Sequence, residues 1–374
     1  MFNPFRRKKR IAIVGAGNAG CVTALNLVYN VGELCDKIDI YYDPNAPIER
    51  VGQGTVTWIA DLFEKVLNVD WYENSIKATF KSGILYENWG KKNDNIFHPF
   101  PMQLMACHYV PNLLSQEVLK SKHFNAIERS IENPEEEIDA DFIFDCRGKT
   151  KNNPEDYLRL TNPLNSVILS RKEGADKSLI YTRCVATPDG WTFVIPNSDS
   201  VSYGYLYNNE ITSKEDATKN FIDMFDVVPD GDLTFQNYIA KNAFVGNRTM
   251  LNGNRLSFLE PLEATSTGFY WSASTYSFDH IFGGQDKQIC NQLIFDEMKK
   301  IETFVLWHYQ KGSKYDTEFW RYAKSLPFLP DKDFRLSIKE SKKSYLDLKK
   351  SHESVVKTYA QWDPPSFKVW NENI

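Results

Sequence analysis

The segment Ile11-Ala-Ile-Val-Gly-Ala-Gly-Asn-Ala-Gly20 places a short β-branched run directly before a glycine-rich turn. Apolar side chains then recur at Val22, Leu25 and Leu27, a spacing typical of a helix that packs on a sheet. Glycines spaced GxGxxG permit a tight turn and close approach of the backbone to a pyrophosphate, whose charge a helix N-terminus meets. The segment predicts the strand, turn and helix of a dinucleotide-binding fold; the alternative is a tight structural turn.

Two further runs extend this unit. Residues 38–42 are rich in Ile and Tyr and end at Asp43, near the position ~20 residues downstream where a dinucleotide fold places its ribose-binding acid. Residues 141–146 form a later run that ends in Arg147 and Gly148, as expected of a strand returning to the same parallel sheet. We predict an α/β protein whose nucleotide-binding part is discontinuous in sequence.

The remainder of the chain divides into a β-rich and a helical part. Residues 191–195 and 201–207 show strand patterns separated by a Pro-Asn-Ser-Asp turn, which predicts a β-rich insertion carrying the second half of a pocket. Residues 286–310 carry apolar side chains at mostly three- and four-residue steps and predict a long helix. Beyond Asp331 the composition is mainly Lys, Asp, Glu and Ser, which predicts a polar helix and tail.

Composition and charge exclude two classes of protein. Of the 374 residues 42% are hydrophobic and 25% are charged, a globular composition. No apolar run approaches the ~20 residues of a membrane span, so we expect no membrane association. The 44 Lys and Arg against 49 Asp and Glu give a net charge of -5, the wrong sign for a protein that wraps nucleic acid.

Cysteine, histidine and aromatic residues indicate the compartment of the protein, whether it binds a metal, and how its core or pocket is built. Six scattered cysteines without a CxxC pair, and a basic run at residues 6–10 without the apolar region of a signal peptide, predict a reduced, cytoplasmic protein. Six histidines form no HxxxH or HxH cluster, so no metal site is predicted. Aromatic residues make up 14% of the chain, which fits a bulky core or a pocket for a flat ligand.

Three segments besides the glycine turn carry distinctive motifs: Thr79-Phe-Lys81 followed by Asn88-Trp89, Gly190-Trp-Thr-Phe-Val-Ile-Pro196, and Phe258-Leu-Glu-Pro-Leu-Glu-Ala-Thr-Ser266. Together with the turn they resemble the flavin-dependent halogenases of the tryptophan halogenase family, whose signatures include WxWxIP and FLEPLESTS. With a weaker match at His308-Tyr309 and Asp316-Thr-Glu-Phe-Trp320, the matches follow the family's order from Ile11 to Trp320 and so cover most of the chain. The glycine turn is widespread, whereas the WxFxIP and FLEPLEATS pair is specific.

The resemblance implies a Rossmann-like, FAD-binding domain of the hydroxylase type, a β-rich substrate-side sub-domain and C-terminal helices. In this family reduced FAD, dioxygen and halide yield hypohalous acid, which passes through a tunnel and halogenates an electron-rich aromatic compound. A separate flavin reductase is implied as a partner, because the sequence shows no identifiable NAD(P)H site. The alternatives are an FAD-dependent monooxygenase and an inactive protein that binds FAD or an aromatic ligand. A homo-oligomer is compatible with the sequence.

The resemblance also implies roles for single residues. Lys81 would hold the hypohalous acid or carry the halogen as a haloamine, and Glu263 would be its partner carboxylate. The backbone amides of Thr265 and Ser266 would bind the halide. The alternatives are a solvated surface lysine at Lys81 and, at Glu263, an acid that favours the helix dipole.

Cofactor contacts and a dividing wall follow from the same resemblance. The implied FAD contacts are Gly15, Ala16, Gly17, Ala19, Gly20, Asp43, Ala46, Gly54 and Thr267. A wall between flavin and organic substrate is implied at Trp191, Phe193, Ile195 and Pro196.

Three features depart from the family pattern. Phe193 replaces the second Trp of WxWxIP, and Gln53 replaces a Glu in residues 51–56, which we call the strap because this loop would link the flavin and halide ends. The sequence is also shorter at its C-terminal side than tryptophan halogenases, so no tryptophan-binding site is carried over. We expect a free indole, a phenol or another electron-rich aromatic substrate.

We expect one halogenase unit over residues 1–374. Its FAD-binding part would comprise about 8–60, 135–150 and 245–290, and its substrate-side part about 61–134 and 151–244. The C-terminal helical part would comprise 291–374.

Overall fold

The computed structural model describes residues 7–48, 51–100, 105–148, 154–176, 178–343, 358–360 and 362–374. The chain forms two compact units. Unit one comprises Met1–Phe80, Leu104–Leu160 and Asn237–Asp296, and unit two comprises Lys81–Gln103, Thr161–Gln236 and Glu297–Ile374. The expected boundary between residues 150 and 151 lies outside the described residues.

The strands and helices follow one another along the described chain. The strands are β1 (Lys9–Val14), β2 (Cys35–Tyr42), β3 (Gln53–Gly54), β4 (Thr79–Lys81), β5 (Gly83–Glu87), β6 (Asn95–Pro99), β7 (Ala106–Tyr109), β8 (Asn125–Glu128), β9 (Phe142–Asp145), β10 (Tyr157–Arg159), β11 (Ser166–Glu173), β12 (Thr182–Thr187), β13 (Gly190–Pro196), β14 (Ser200–Tyr207), β15 (Gly231–Thr234), β16 (Tyr238–Ala240), β17 (Phe244–Val245), β18 (Thr249–Leu251) and β19 (Ser257–Phe258). The α-helices are α1 (Asn18–Val31), α2 (Ile59–Leu67), α3 (Pro111–Lys120), α4 (Pro134–Glu137), α5 (Lys214–Phe225), α6 (Thr265–Phe278), α7 (Lys287–Lys311), α8 (Glu318–Ser325), α9 (Lys332–Glu340) and α10 (Pro364–Asn373).

Unit one is organised by a six-stranded sheet in the order β17-β18-β9-β1-β2-β8. β1 pairs in parallel with β2 and with β9, and the register places Val14 opposite Tyr41 on one side and Asp145 on the other. Buried strands of this kind are continuous apolar runs because helices cover both faces of a parallel sheet. The prediction that residues 141–146 return to the sheet of β1 is confirmed.

Helix α1 is joined by hydrogen bonds to helix α6 and to the end of strand β18. Asn26 on α1 donates from Nδ2 to Ser274 Oγ on α6 at 2.8 Å. Asn252, at the end of β18, donates from Nδ2 to Thr23 Oγ1 on α1 at 2.9 Å and to the Tyr270 carbonyl on α6 at 3.0 Å. These buried amides have their partners inside the unit, so α1, α6 and the sheet hold each other in place.

Unit two contains a seven-stranded sheet in the order β15-β11-β14-β13-β12-β5-β6. All its pairs are antiparallel except β12 with β5. The predicted strands at residues 191–195 and 201–207 are confirmed as β13 and β14, which pair along their length. A Cβ at Gly204 would lie 2.1 Å from the Phe193 ring, so the glycine makes room for that side chain.

An aromatic cluster lies where helices α7 and α10 and strand β6 meet in unit two. His308 on α7 lies 4.8 Å from the Trp370 ring on α10, and Trp307 lies 5.1 Å from Phe367. The Trp362 ring lies 4.5 Å from the His98 ring on β6, tilted by 37°. The most buried large side chains of the described residues include Trp89, Trp307, Trp320, Trp362 and Trp370. For these tryptophans the structure favours the core interpretation over a ligand pocket.

The prediction of a polar helix and tail after Asp331 is right for α9 and wrong for α10. Phe367 and Trp370 on α10 are fully buried, as are Tyr359 and Trp362 just before it. The prediction rested on the average composition of the segment, and the polar residues around these four side chains dominate that average. Residues 344–357 of the predicted tail lie outside the described residues. None of the described helices is both long and apolar enough to cross a bilayer.

A hydrogen-bonded chain places a proton on Nε2 of His98 within unit two. The Ser366 hydroxyl donates to Asp363 Oδ1 at 2.7 Å, so its oxygen accepts from His98 Nε2, 2.8 Å away. His98 Nδ1 is buried and has no hydrogen-bond partner among the described residues. Burial lowers the pKa of His98 to about 4, with Lys81 lowering it and Asp363 raising it. Burial also lowers the pKa of the neighbouring His308, to about 3.

We predict that His98 makes unit two acid-sensitive. The unfolded chain takes up the proton first, so stability is complete above the ordinary histidine pKa of 6.5 and is lost as pH falls toward 4. Near pH 4 the loss is on the order of 3 kcal/mol. Denaturant titrations from pH 7 to 4 should show a steeper decline for wild type than for His98→Gln. Parallel declines would contradict the assignment.

Candidate functional site

The glycine-rich turn of unit one leaves room for a ligand at one position. Gly15 has φ +105° and donates its N–H to the Tyr41 carbonyl at 2.8 Å. A Cβ at Gly20 would lie 1.9 Å from the Gly15 carbonyl oxygen, so this glycine is required by packing. A Cβ at Gly17 would have nothing within 4 Å. The three glycines therefore have different tasks, and Gly17 faces open space.

The start of α1 beside this turn suits an anion. No side chain of the described residues caps the helix at Gly17, and the first helical bond runs from the Cys21 amide to the Gly17 carbonyl at 3.0 Å. The amides of the first turn are thus directed at the space beside Gly17, where the helix dipole favours negative charge. Ala16 and Ala19, two further predicted contacts, are small and buried here. The arrangement fits the pyrophosphate of a dinucleotide.

Asp43, the predicted ribose-binding acid, lies at the end of β2. Its Oδ1 accepts the Asn45 N–H at 2.8 Å and its Oδ2 accepts the Ser130 hydroxyl at 2.7 Å. The Ser130 hydrogen bond, followed by that of the Asn45 amide, lowers the pKa of Asp43. The Ala46 N–H donates to the Asp43 carbonyl at 3.1 Å. The carboxylate is therefore charged and held in a fixed position within unit one.

The end of β9, already named from the sequence, carries a charge cluster whose third member, Arg255, the sequence analysis did not identify. Arg147 forms a two-pronged ion pair with the buried Asp145, at 2.9 and 2.8 Å, and Arg255 adds a third contact at 3.1 Å. The Arg147 amide and the Cys146 carbonyl lie against Gly15. Arg255 is distant in sequence, and no local pattern connects it with Asp145.

The FLEPLEATS segment forms a strained turn at the start of α6. Glu263 has φ 71° and ψ 6°, and Ala264 has φ 54° and ψ 31°. Each left-handed residue that is not glycine costs roughly 1–2 kcal/mol, so the turn persists only because its surroundings hold it. The Glu263 side chain is 3% exposed. A surface acid that only complements the helix dipole does not fit this burial.

Four predicted residues meet at this turn. Thr265 and Ser266 are the first residues of α6, and no side chain within the described ranges caps the helix at Ala264. Thr267 is buried and donates from Oγ1 to the Ala264 carbonyl at 3.3 Å. Glu263 therefore directly precedes helical amides that are suited to an anion.

The strap, residues 51–56, packs against α6. A Cβ at Gly268 would lie 3.1 Å from a Val56 methyl group, so the strap touches the helix one residue after Thr267. Gln53 and Gly54 form β3, where Gly54 is opposite His108 on β7. Thr55 fixes the end of the strap by accepting the Cys107 amide at 2.9 Å. The strap thus belongs to unit one together with the glycine turn and the start of α6.

Lys81 lies at the boundary where β4 ends and unit two begins. Its side chain is 3% exposed, so it is not a solvated surface lysine. Its Nζ lies 5.2 Å from the centre of the Phe100 ring, within the range of a cation–π interaction. Phe100 lies 5.9 Å from His98. The sequence analysis did not identify His98 or Phe100, although the aromatic-rich run around them was a signal.

The WxFxIP segment is the buried strand β13 of unit two. Trp191, Phe193, Ile195 and Pro196 are all buried, and Trp191 and Phe193 lie 6.3 Å apart. The structure therefore groups the predicted residues in two sets. Lys81 and the β13 residues belong to unit two, while the glycine turn, Asp43, Ala46, Gly54, Glu263 and the start of α6 belong to unit one. Within the described part of the chain no cluster of three potential metal ligands occurs.

Comparison with known proteins gives concordant matches. The family model described as tryptophan halogenase matches residues 10–113 and 114–361. Tryptophan 7-halogenase KtzQ of Kutzneria sp. (strain 744) is 31% identical over 212 residues, covering 50% of this chain and 39% of KtzQ. Tryptophan 7-halogenase RebH of Lentzea aerocolonigenes is 27% identical, again covering 50% of this chain and 39% of RebH. The match to these two relatives thus spans about two fifths of their length.

A solved structure matches over most of both chains. Xcc4156, a flavin-dependent halogenase from Xanthomonas campestris, superposes with a TM-score of 0.75 at 19% identity, covering 89% of this chain and 83% of that one. At this identity the similarity establishes the fold, which is the mixed α/β fold with a parallel sheet that the sequence predicts.

We predict that Gly17→Val abolishes retention of FAD without loss of the fold. The new side chain fits the protein itself but occupies the space that a pyrophosphate needs. Flavin fluorescence titration should show affinity weakened at least about tenfold, or ~1.4 kcal/mol. Gly231→Val, also in open space but on β15, is the matched control and should bind FAD as wild type does. Gly20→Ala should instead lower the yield of folded protein. Undiminished FAD affinity in Gly17→Val would refute the assignment.

Proposed function

This chain belongs to the tryptophan halogenase family, and we propose that it halogenates an electron-rich aromatic substrate with reduced FAD, dioxygen and halide. The observation that carries the proposal is the burial of Lys81, which is 3% exposed. Burying an ammonium costs free energy, and a flavin enzyme that oxygenates its substrate directly does not need such a group. A halogenase does, because the oxidised halogen must be held for the substrate.

Unit one would hold the cofactor. The amides at the start of α1 and the open space at Gly17 would receive the pyrophosphate, Asp43 would bind a ribose, and the strap would lie along the flavin. When bound, reduced FAD supplies two electrons and two protons that, with dioxygen, halide and one further proton, yield FAD, hypohalous acid and water. A separate flavin reductase is the proposed source of the reduced cofactor.

The start of α6 would bind the halide before it is oxidised. The amides of Thr265 and Ser266 are uncapped by any described side chain and lie at the positive end of the helix dipole. Backbone amides bind an anion whatever the side chain, so the Ser at 266 is compatible with this role. The adjacent Thr267 would contact the flavin ring.

Lys81 would activate the hypohalous acid after it has reached the substrate through a tunnel. Its ammonium donates a hydrogen bond to the hydroxyl oxygen, which polarises the oxygen–halogen bond toward the departure of hydroxide. The aromatic carbon then bonds to the halogen, and the oxygen leaves as water with a proton from the Lys81 ammonium, which the proton later released by the arenium ion replaces. A haloamine at Lys81 is the alternative form of the same delivery.

Glu263 would take part in the proton transfer. The arenium intermediate loses the proton from the halogenated carbon, and a carboxylate is a suitable acceptor. Trp191, Phe193, Ile195 and Pro196 would separate flavin from substrate, which prevents direct oxygenation. A free indole, a phenol or a related electron-rich ring is the proposed substrate class.

We predict that Lys81→Ala loses organic halogenation while flavin oxidation continues. The loss should be about 10²–10³-fold, as for other hydrogen-bond donors to a reacting oxygen. Product is measured by mass spectrometry with a panel of indoles and phenols, and dioxygen uptake is measured in parallel. Lys219→Ala, at an exposed lysine of α5, is the control and should behave as wild type. Near wild-type product from Lys81→Ala would show that the lysine is not used.

The same assay separates the competing functions. A monooxygenase would form hydroxylated product without halide, and an inactive binding protein would retain FAD without any turnover. Halide-dependent product from the wild-type protein is the result expected of a halogenase.

We predict that Glu263→Gln reduces product formation about 10²–10⁴-fold, the range for a general acid or base. FAD binding and melting temperature should change little because the amide keeps the shape of the side chain. Glu215→Gln removes an exposed first-turn acid from α5 and is the matched control for a helix-dipole effect. A lower melting temperature with preserved turnover per folded molecule would argue against a catalytic role.

A further inference from the structure

The first glutamate of the FLEPLEATS segment has no part in the chemistry proposed above, yet it is fully buried. Glu260 is 0% exposed, and its Oε2 accepts the Leu262 N–H at 2.9 Å. An apolar side chain would fill the same space without the cost of burying a carboxyl group. The carboxyl group holds the Leu262 amide, which an apolar side chain could not do.

A second contact anchors Glu260 from the neighbouring strand. The Glu260 N–H donates to Asn237 Oδ1 at 3.0 Å, and the Asn237 carbonyl accepts the Leu160 N–H at 3.0 Å. Asn237 directly precedes β16 and Glu260 is the second residue after β19, and these strands pair with Tyr238 opposite Phe258. The pairing therefore brings Asn237 and Glu260 together at the point where the sheet ends and the turn begins.

The turn that these contacts support is the strained one. From Leu262 the chain enters the left-handed pair Glu263 and Ala264, and the Ala264 N–H donates back to the Pro261 carbonyl at 3.0 Å. Neither left-handed residue is glycine, so the backbone would relax to another conformation if the preceding amide were released. Relaxation would turn the Glu263 side chain and reorient the first amides of α6 together.

We propose that Glu260, supported by Asn237, is a positioning residue that presents the Glu263 carboxylate and the halide-binding amides of Thr265 and Ser266 in one fixed arrangement. The inference rests on the proposed function for its meaning in catalysis. Its physical content, that Glu260 sets the anion-binding geometry of the turn, is separate from catalysis and is testable by itself.

The test uses the full chain loaded with FAD and two substitutions at one position. Glu260→Met keeps the volume and removes the acceptor, whereas Glu260→Gln keeps an oxygen that can accept the Leu262 N–H. Chloride binding is measured by chloride NMR line broadening, and kcat and the halide KM are measured by product formation. We expect Glu260→Met to weaken chloride binding and raise the halide KM about tenfold, consistent with the loss of one hydrogen bond to a charged group. Glu260→Gln should retain most of the wild-type chloride affinity and a halide KM close to that of the wild type.

A third variant tests the strain directly. Adding Ala264→Gly to Glu260→Met removes the steric penalty at one left-handed position and should recover part of the chloride affinity. Hydrogen exchange of the peptide that contains Thr265 and Ser266 should be faster in Glu260→Met and slower again in the double variant. If Glu260→Met does not fold, Asn237→Ala, which releases the Glu260 amide, carries the same expectations.

Glu302 provides the matched control, because it is also buried and accepts a backbone N–H, that of Thr161, at 2.6 Å. Glu302→Met should lower the melting temperature and leave chloride binding unchanged. Unchanged chloride binding and exchange in Glu260→Met, or equal effects in Glu302→Met, would overturn the inference. A wild-type protein that binds chloride but forms no halogenated product would overturn the proposed function, and the positioning of the anion site would still be supported by the Glu260 variants.

Discussion

The close approach of Gly20 to the Gly15 carbonyl is the constraint on which unit one depends. A Cβ at Gly20 would lie 1.9 Å from that oxygen, so only glycine lets α1 pack directly behind β1. The position of α1 in turn sets that of α6, through Asn26 to Ser274 and through Asn252 between Thr23 and the Tyr270 carbonyl. The start of α1 and the helix that begins beside Glu263 are thus placed by one backbone contact.

Two consecutive left-handed residues lie where the proposed chemistry takes place, and neither is glycine. Ala264 has a left-handed backbone with no polar side chain to stabilise it, and Glu263 before it is left-handed too. Such conformations persist at sites where the surrounding structure over-determines them. Here the surroundings are a buried carboxyl group, a paired strand end and a proline carbonyl, all within unit one. If these contacts hold the turn in one conformation, as we propose, they lower the cost of binding a small anion there.

Unit two contains a large aromatic cluster that joins its C-terminal segment to the rest of the unit. Trp362, Phe367 and Trp370 from the end of the described chain pack on α7 and β6, and Ser366 bonds to His98. The buried, neutral imidazole makes this packing sensitive to acid. Lys81 is buried at one edge of the same unit, close enough to His98 to lower its pKa. The environment of the proposed halogen-carrying lysine thus depends on the C-terminal helix.

The sequence alone determined the local features: the strand, turn and helix around Gly15, the returning strand β9, the strands β13 and β14, the long helix α7, and the family. These follow from steric requirements and periodicities that act over a few residues. The tertiary structure decided which distant residues meet. His98 and Ser366 are 268 residues apart in sequence, and Arg255 and Asp145 are 110 apart. It also decided that Lys81 and Glu260 are buried and that the polar-looking C-terminal segment contributes to a core, because burial depends on how the whole chain folds and not on local composition.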